Sequence, residues 1–210
     1  MGIYTGVGSR KTPEFIMEVM YVFARIQARL GHTGRSGHAD GADYAFEKGM
    51  LAEDAGLKGL MEIYLPWKGF NGATSGPGYY LPSQLGHWEE AEAIVAEIHP
   101  AWGLFMSNPQ KYRGAIALHT RNVFQVLGKT LKSPSDYLVC YAEVSGRGGV
   151  KGGTATAVEL ARRNNVQVFN LIEEKDLRHI LSIIKDHVQK EDFAGCVNFT
   201  FDQLQKAMAA

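Results

Sequence analysis

Short apolar runs alternate along this chain with stretches whose apolar residues recur every three or four positions. That alternation predicts strands interleaved with helices. Ile3 to Gly8, His32 to Ser36, Glu62 to Leu65, Tyr137 to Ala142 and Val166 to Leu171 read as strands. Within them, Tyr137-Leu138-Val139-Cys140-Tyr141-Ala142 is apolar without interruption, as in a strand covered on both faces of a parallel sheet. Helical spacing appears in Phe15, Ile16, Met20, Phe23, Ile26 and Leu30, with Thr12 as N-cap and Pro13 at the first helical position. It recurs over Ala42 to Met50, Trp88 to Ile98, Gly114 to Leu127, Thr154 to Asn164 and Glu174 to Gln189, and a short terminal helix is expected over Asp192 to Ala210. The pattern predicts an α/β protein of three layers around a mainly parallel sheet, followed by C-terminal helices. One domain spans residues 1–172, with 66–86 as an inserted loop, and 173–210 is a helical extension packed on it.

Two of the strand-to-helix joints are rich in glycine. Gly6-Val7-Gly8-Ser9-Arg10 opens the first helix, and Gly146-Arg147-Gly148-Gly149-Val150-Lys151-Gly152-Gly153-Thr154 opens the helix after the apolar strand. Such joints leave backbone N–H groups at a helix N-terminus, where the dipole favours an anion, and in open α/β sheets ligands gather at the strand carboxyl ends. A tight turn that binds nothing has the same composition. Arg10 beside the first loop favours an anion. A third loop, Ser36-Gly37-His38-Ala39-Asp40-Gly41-Ala42-Asp43, sets a carboxylate in the first turn of a helix. There Asp43 either complements the helix dipole or hydrogen-bonds a sugar or base.

Charge narrows the partners. The 210 residues carry 22 Lys and Arg against 22 Asp and Glu, so no global field draws the protein to nucleic acid or an acidic membrane. From Ile98 to Ser135 there is no Asp or Glu, while Lys111, Arg113, Arg121, Lys129 and Lys132 fall inside, which predicts a basic rim. The aromatics Trp67, Phe70, Tyr79 and Tyr80 in the 66–86 loop either stack on a base or anchor the loop. Cys140 and Cys196 lack metal-ligand spacing, and no cluster implies a metal or cofactor. The N-terminus lacks the marks of a signal peptide and no run suits a bilayer span, so a reduced, cytoplasmic setting is expected.

Taken together, Gly8-Ser9-Arg10, the Ser36-Gly37-x-Ala39-x-Gly41-Ala42-Asp43 loop and Gly152-Gly153-Thr154-x-Thr156-Ala157 resemble the Rossmann-type SLOG superfamily of DNA processing protein A and the LOG nucleotide phosphoribohydrolases. Tyr64-Leu65-Pro66-Trp67, His99-Pro100-Ala101-Trp102 and Arg121-Asn122-Val123-Phe124 look like small members from phage and bacterial genomes. The resemblance covers Ile3 to Leu171. It implies a Rossmann-like fold, nucleotide-derived ligands, a homodimer and, for a phage member, the bacterial host cytoplasm. The LOG glutamate three residues after the threonine is Ala157 here; Glu159 lies roughly 140° round the helix from Thr154. Where DNA processing protein A usually has a histidine four residues after the aspartate, Glu47 stands, and the winged-helix domain common in that family is not expected within these 210 residues.

The expected site therefore holds one side of a ligand with Gly8, Ser9 and Arg10, its phosphate with Gly152, Gly153 and Thr154, and its sugar or base with Asp43, near Ser36 and Gly37. Arg121 adds charge. Three functions follow from these residues: binding of a nucleotide-derived molecule, hydrolysis of a nucleoside 5'-monophosphate N-glycosidic bond with Arg121 and Asp43 as catalytic groups, or single-stranded DNA binding in recombination.

Overall fold

A computed structural model describes residues 2–52, 60–73, 76–146 and 148–188, with Val188 by its backbone alone. Arg147, Gln189, Cys196 and the terminal helix expected over 192–210 lie outside the described residues. The elements in chain order are β1 (Ile3–Gly8), α1 (Glu14–Arg29), β2 (Thr33–Ser36), α2 (Ala42–Leu51), β3 (Met61–Tyr64), β4 (Tyr79–Tyr80), α3 (Trp88–Ile98), α4 (Trp102–Ser107), α5 (Pro109–Leu127), β5 (Tyr137–Tyr141), α6 (Thr154–Arg163), β6 (Gln167–Asn170) and α7 (Glu174–Val188). The six strands form one sheet in the order β4-β3-β2-β1-β5-β6, and every pairing is parallel. This is a three-layer, Rossmann-like α/β fold.

Each face of the sheet has its own core. Phe23, Ile26, Phe46, Met50, Ile180 and Ile184 from α1, α2 and α7 cover one face. Val95, Trp102, Val123, Phe124, Val158 and Ala161 from α3, α4, α5 and α6 cover the other. A strand buried on both sides has no polar face to offer, which accounts for the unbroken apolar run of β5: Leu138 belongs to one core, Val139 to the other. Gly6 lets the layers close, since a Cβ there would stand 2.4 Å from the ring of Phe46.

Several details differ from the sequence reading. Thr12 is not the N-cap of α1: the helix starts at Glu14, and the Thr12 hydroxyl donates to Ser9 O at 2.7 Å instead. Leu30 lies beyond the end of α1 and is exposed. Segment 66–86 is more than a loop. It contributes the edge strand β4, paired to β3 through Ile63 with Tyr79 and Tyr64 with Tyr80, flanked by short 3-10 turns at Phe70–Gly72 and Pro82–Gln84. Helix α5 begins at Pro109, one and a half turns before the expected Gly114, with Asn108 Oδ1 accepting from Lys111 N at 3.1 Å. Among the described residues no helix is long and apolar enough to cross a membrane.

The chain steps outward from β1 to β4 and then returns to set β5 beside β1. The loops leaving β1 and β5 therefore diverge to opposite faces, and a crevice opens at their carboxyl ends.

Candidate functional site

That crevice is a cavity of about 490 Å³. It is lined by Gly8, Ser9, Arg10, Asp43, Arg121, Gly152, Gly153 and Thr154, so eight of the ten residues expected from the sequence meet there. Ser36 and Gly37 do not line it. The Ser36 hydroxyl is fully buried and donates to Gly6 O at 2.7 Å, tying β2 to β1. Gly37 works by having no side chain: a Cβ on it would stand 1.2 Å from Arg121 Nη1.

The two glycine loops differ in what they offer. In the first, Ser9 is a joint. Its amide donates to Tyr141 O at 2.9 Å, and its carbonyl accepts from Thr12 N at 3.3 Å and Ala42 N at 3.2 Å. The Gly8 amide donates to Asp43 Oδ1 at 3.2 Å and the Lys11 amide to Ser9 Oγ at 3.0 Å. Little backbone is left over, and the loop's contribution to an anion is the exposed side chains of Arg10 and Lys11. In the second loop, the amides of Gly152, Gly153 and Thr154 have no acceptor among the described residues. They stand at the N-terminus of α6, whose first turn carries no acidic residue and no side-chain cap. This is the loop with the chemistry of a phosphate cradle. It is moored by Asn122, whose Nδ2 donates to Gly153 O at 2.9 Å.

Deeper in the cavity the groups are buried. Asp43 and Arg121 are each 4 % exposed. Arg121 Nη1 lies 3.5 Å from Asp43 Oδ2 and 3.3 Å from Tyr64 O. Burial pushes the Asp43 carboxyl above its usual range, while Arg121 and the Gly8 and Ala39 amides pull it back. Burial, with Arg10 nearby, likewise lowers Arg121, against the pull of Asp43. His119, from the same helix, donates to or accepts from Thr156 Oγ1 at 2.7 Å. Burial, together with His99 and Arg121, pushes its pKa down to about 4, so it is a neutral ring at physiological pH.

The cavity's rim cations do not come from the acid-free stretch as expected. Of its basic residues only Arg121 lines the cavity. Lys129 pairs with Glu62 at 3.1 Å and sits 4.1 Å from the centre of the Tyr80 ring. The rim cations are Arg10, Lys11 and Lys151, the last paired with Glu143 at 3.0 Å on the exposed edge. Nor do the aromatics of 66–86 line it: Phe70 is buried against Trp67, Tyr79 donates to Glu47, and Tyr80 packs on Tyr64. Glu47 is committed elsewhere too, bonded to His38 Nδ1 at 2.7 Å. Sequence reasoning passed over Gln125 and the mooring role of Asn122. The signal was available: Leu118, Arg121, Asn122 and Gln125 share one face of α5, and that face carries polar residues although it is buried.

Among the described residues no group of three or more His, Cys, Asp or Glu is arranged to hold a metal ion. Compared with protein-family models, curated proteins and solved structures, the chain matches none.

Proposed function

We propose that this protein binds a nucleotide or nucleotide-derived molecule in the cavity at the strand carboxyl ends. One observation carries the reading: the cavity is graded from a cationic rim to a buried polar floor. Arg10, Lys11 and Lys151, with the uncommitted amides of Gly152, Gly153 and Thr154, suit the charge of a phosphate. Asp43, Arg121 and Gln125, buried beneath, suit a sugar or base that brings hydrogen-bonding groups and little charge. The volume of about 490 Å³ is within the range of pockets that enclose a small ligand. The likeness of its motifs to the SLOG superfamily points the same way, and with it come a homodimer and a cytoplasmic setting.

A second reading, hydrolysis of a nucleoside 5'-monophosphate at its N-glycosidic bond, draws on Asp43 and Arg121, a carboxylate and a cation in contact within the cavity. It has weaker support. Ala157 lines the cavity at the position where LOG proteins have glutamate, and the half-exposed Glu159 pairs with Arg163 at 2.9 Å instead.

A thermal-shift screen of the purified protein against nucleotides, sugar nucleotides and short single-stranded DNA, with mass spectrometry of each mixture, tests both. Stabilisation by a nucleotide recovered intact is the expected result. Free base with sugar phosphate would establish the hydrolase, and stabilisation by oligonucleotides alone, removed by salt, would overturn the small-ligand pocket.

A further inference from the structure

The cavity at the strand carboxyl ends does not stop at the second glycine loop. A second cavity, of about 600 Å³, adjoins it, and Gly152, Gly153 and His119 line both. What stands between the two is therefore bare backbone with the uncommitted amides of Gly152 and Gly153. Gly152 is glycine for a reason within the chain, its φ of +75°. Gly153 is not: its φ of −61° and ψ of −27° suit any residue, and a Cβ on it would meet nothing within 4 Å. Neither the backbone nor the packing asks for glycine at 153. A ligand lying close against the ridge does.

The second cavity differs from the first in charge. His99 and His119 stand together in its wall, ring centres 4.1 Å apart, with Phe105 packed against both. Burial lowers the pKa of His99 as it does that of His119, so both rings are neutral at physiological pH. Among the described residues Arg162 is the sole cation of the lining, and its Nη1 donates to Gly148 O at 2.9 Å. Glu159 is held by Arg163 at 2.9 Å. Neutral rings and committed charges suit a sugar or a base better than a second phosphate.

We infer that the two cavities take one ligand, a phosphoester with a ring group at each end. Its phosphate lies on the Gly152–Gly153 ridge, its nucleoside occupies the first cavity, and a second sugar or base occupies the other. The class is that of dinucleotides and sugar nucleotides, linked by a phosphodiester or a pyrophosphate. The inference rests on the nucleotide-binding reading above.

The test is isothermal titration of the full chain and of Ala155→Trp, since Ala155 lines the second cavity and not the first. For each of the four common bases the ligands are the nucleoside monophosphate, the dinucleoside monophosphate, the dinucleoside diphosphate and the nucleoside diphosphate glucose. At least one two-ended ligand is expected to bind about tenfold or more tighter than its nucleoside monophosphate, because the second ring is held intramolecularly once the first is bound. Ala155→Trp abolishes that gain and leaves the monophosphate as it was. The linkage that gains identifies the source, phosphodiester or pyrophosphate. Should Ala155→Trp fail to fold, His99→Ala is read in the same way. No gain for any two-ended ligand, or a gain that survives the variant, overturns this inference and leaves the nucleotide reading standing. Binding of none of the ligands removes both.

Discussion

Arg121 Nη1 approaches Asp43 Oδ2 to 3.5 Å, and the approach is possible because residue 37 is glycine. Three segments that are remote in sequence thus fix one ion pair. Asp43 also holds the Gly8 amide, so the pair links the ends of β1 and β2 to α5. Removing one member of a buried pair strands the other charge, which typically costs about 3–5 kcal/mol. Asp43→Ala is expected to lower the unfolding free energy by that amount, read as a lower urea midpoint at an unchanged m-value. Asp43→Asn is expected to cost less, because its Oδ1 still accepts from Gly8.

Two glycines make a contrasting pair of tests. In Gly37→Ala the new methyl collides with Arg121, and overpacking of this kind costs about 1–3 kcal/mol. Gly152 has open space for a Cβ, but its φ of +75° lies in the left-handed region, so Gly152→Ala costs about 1–2 kcal/mol through backbone strain alone. Only the first should displace Arg121 and weaken ligand binding more than it weakens phosphate binding. Titration with ribose 5-phosphate beside a nucleotide separates the two.

The strands, the layers and eight residues of the cavity were legible because each is written in local pattern: an apolar run, a helical stripe, glycines at a strand end. What was not legible depends on distance. Nothing in Gly6-Val7-Gly8-Ser9 reveals that its amides are spent on Tyr141 and Asp43, residues brought near only by the sheet order. β4 is two residues long and exists only because β3 is beside it. The basic stretch misled because helix α5 turns its charges in different directions, Arg121 inward and Lys111 and Arg113 to solvent. The early start of α5, by contrast, was written in the Asn108-Pro109 cap and was overlooked.

Glu47 joins α2 to segment 66–86 through the Tyr79 hydroxyl and to His38 through Nδ1, and it is buried. Glu47→Leu leaves both partners without their acceptor, and the expected cost is about 1–3 kcal/mol. The loss should be local. Hydrogen exchange at Phe70 and Tyr79 is expected to quicken while β5 stays protected.

The histidine on α5 gives the protein an acid sensitivity. His119 has a folded pKa of about 4 against about 6.5 for an unperturbed histidine, so between these values the unfolded chain binds more protons. Stability is then fully present above pH 6.5 and is lost as pH falls towards 4, by up to about 3 kcal/mol for this one group. His119→Asn should flatten that slope in a pH series of urea melts. An unchanged slope would assign the acid sensitivity elsewhere.

The most direct test of the graded cavity is a comparison of nucleotide binding by the native chain, an Arg10→Ala and Lys151→Ala double variant, and Arg121→Met. If phosphates lie at the rim and the base at the floor, the double variant loses affinity for nucleoside monophosphates and for ribose 5-phosphate in equal proportion, and its salt dependence flattens. Arg121→Met then loses far more affinity for the nucleotide than for ribose 5-phosphate. No nucleotide binding by the native chain, or equal losses for both ligands in both variants, would contradict the account.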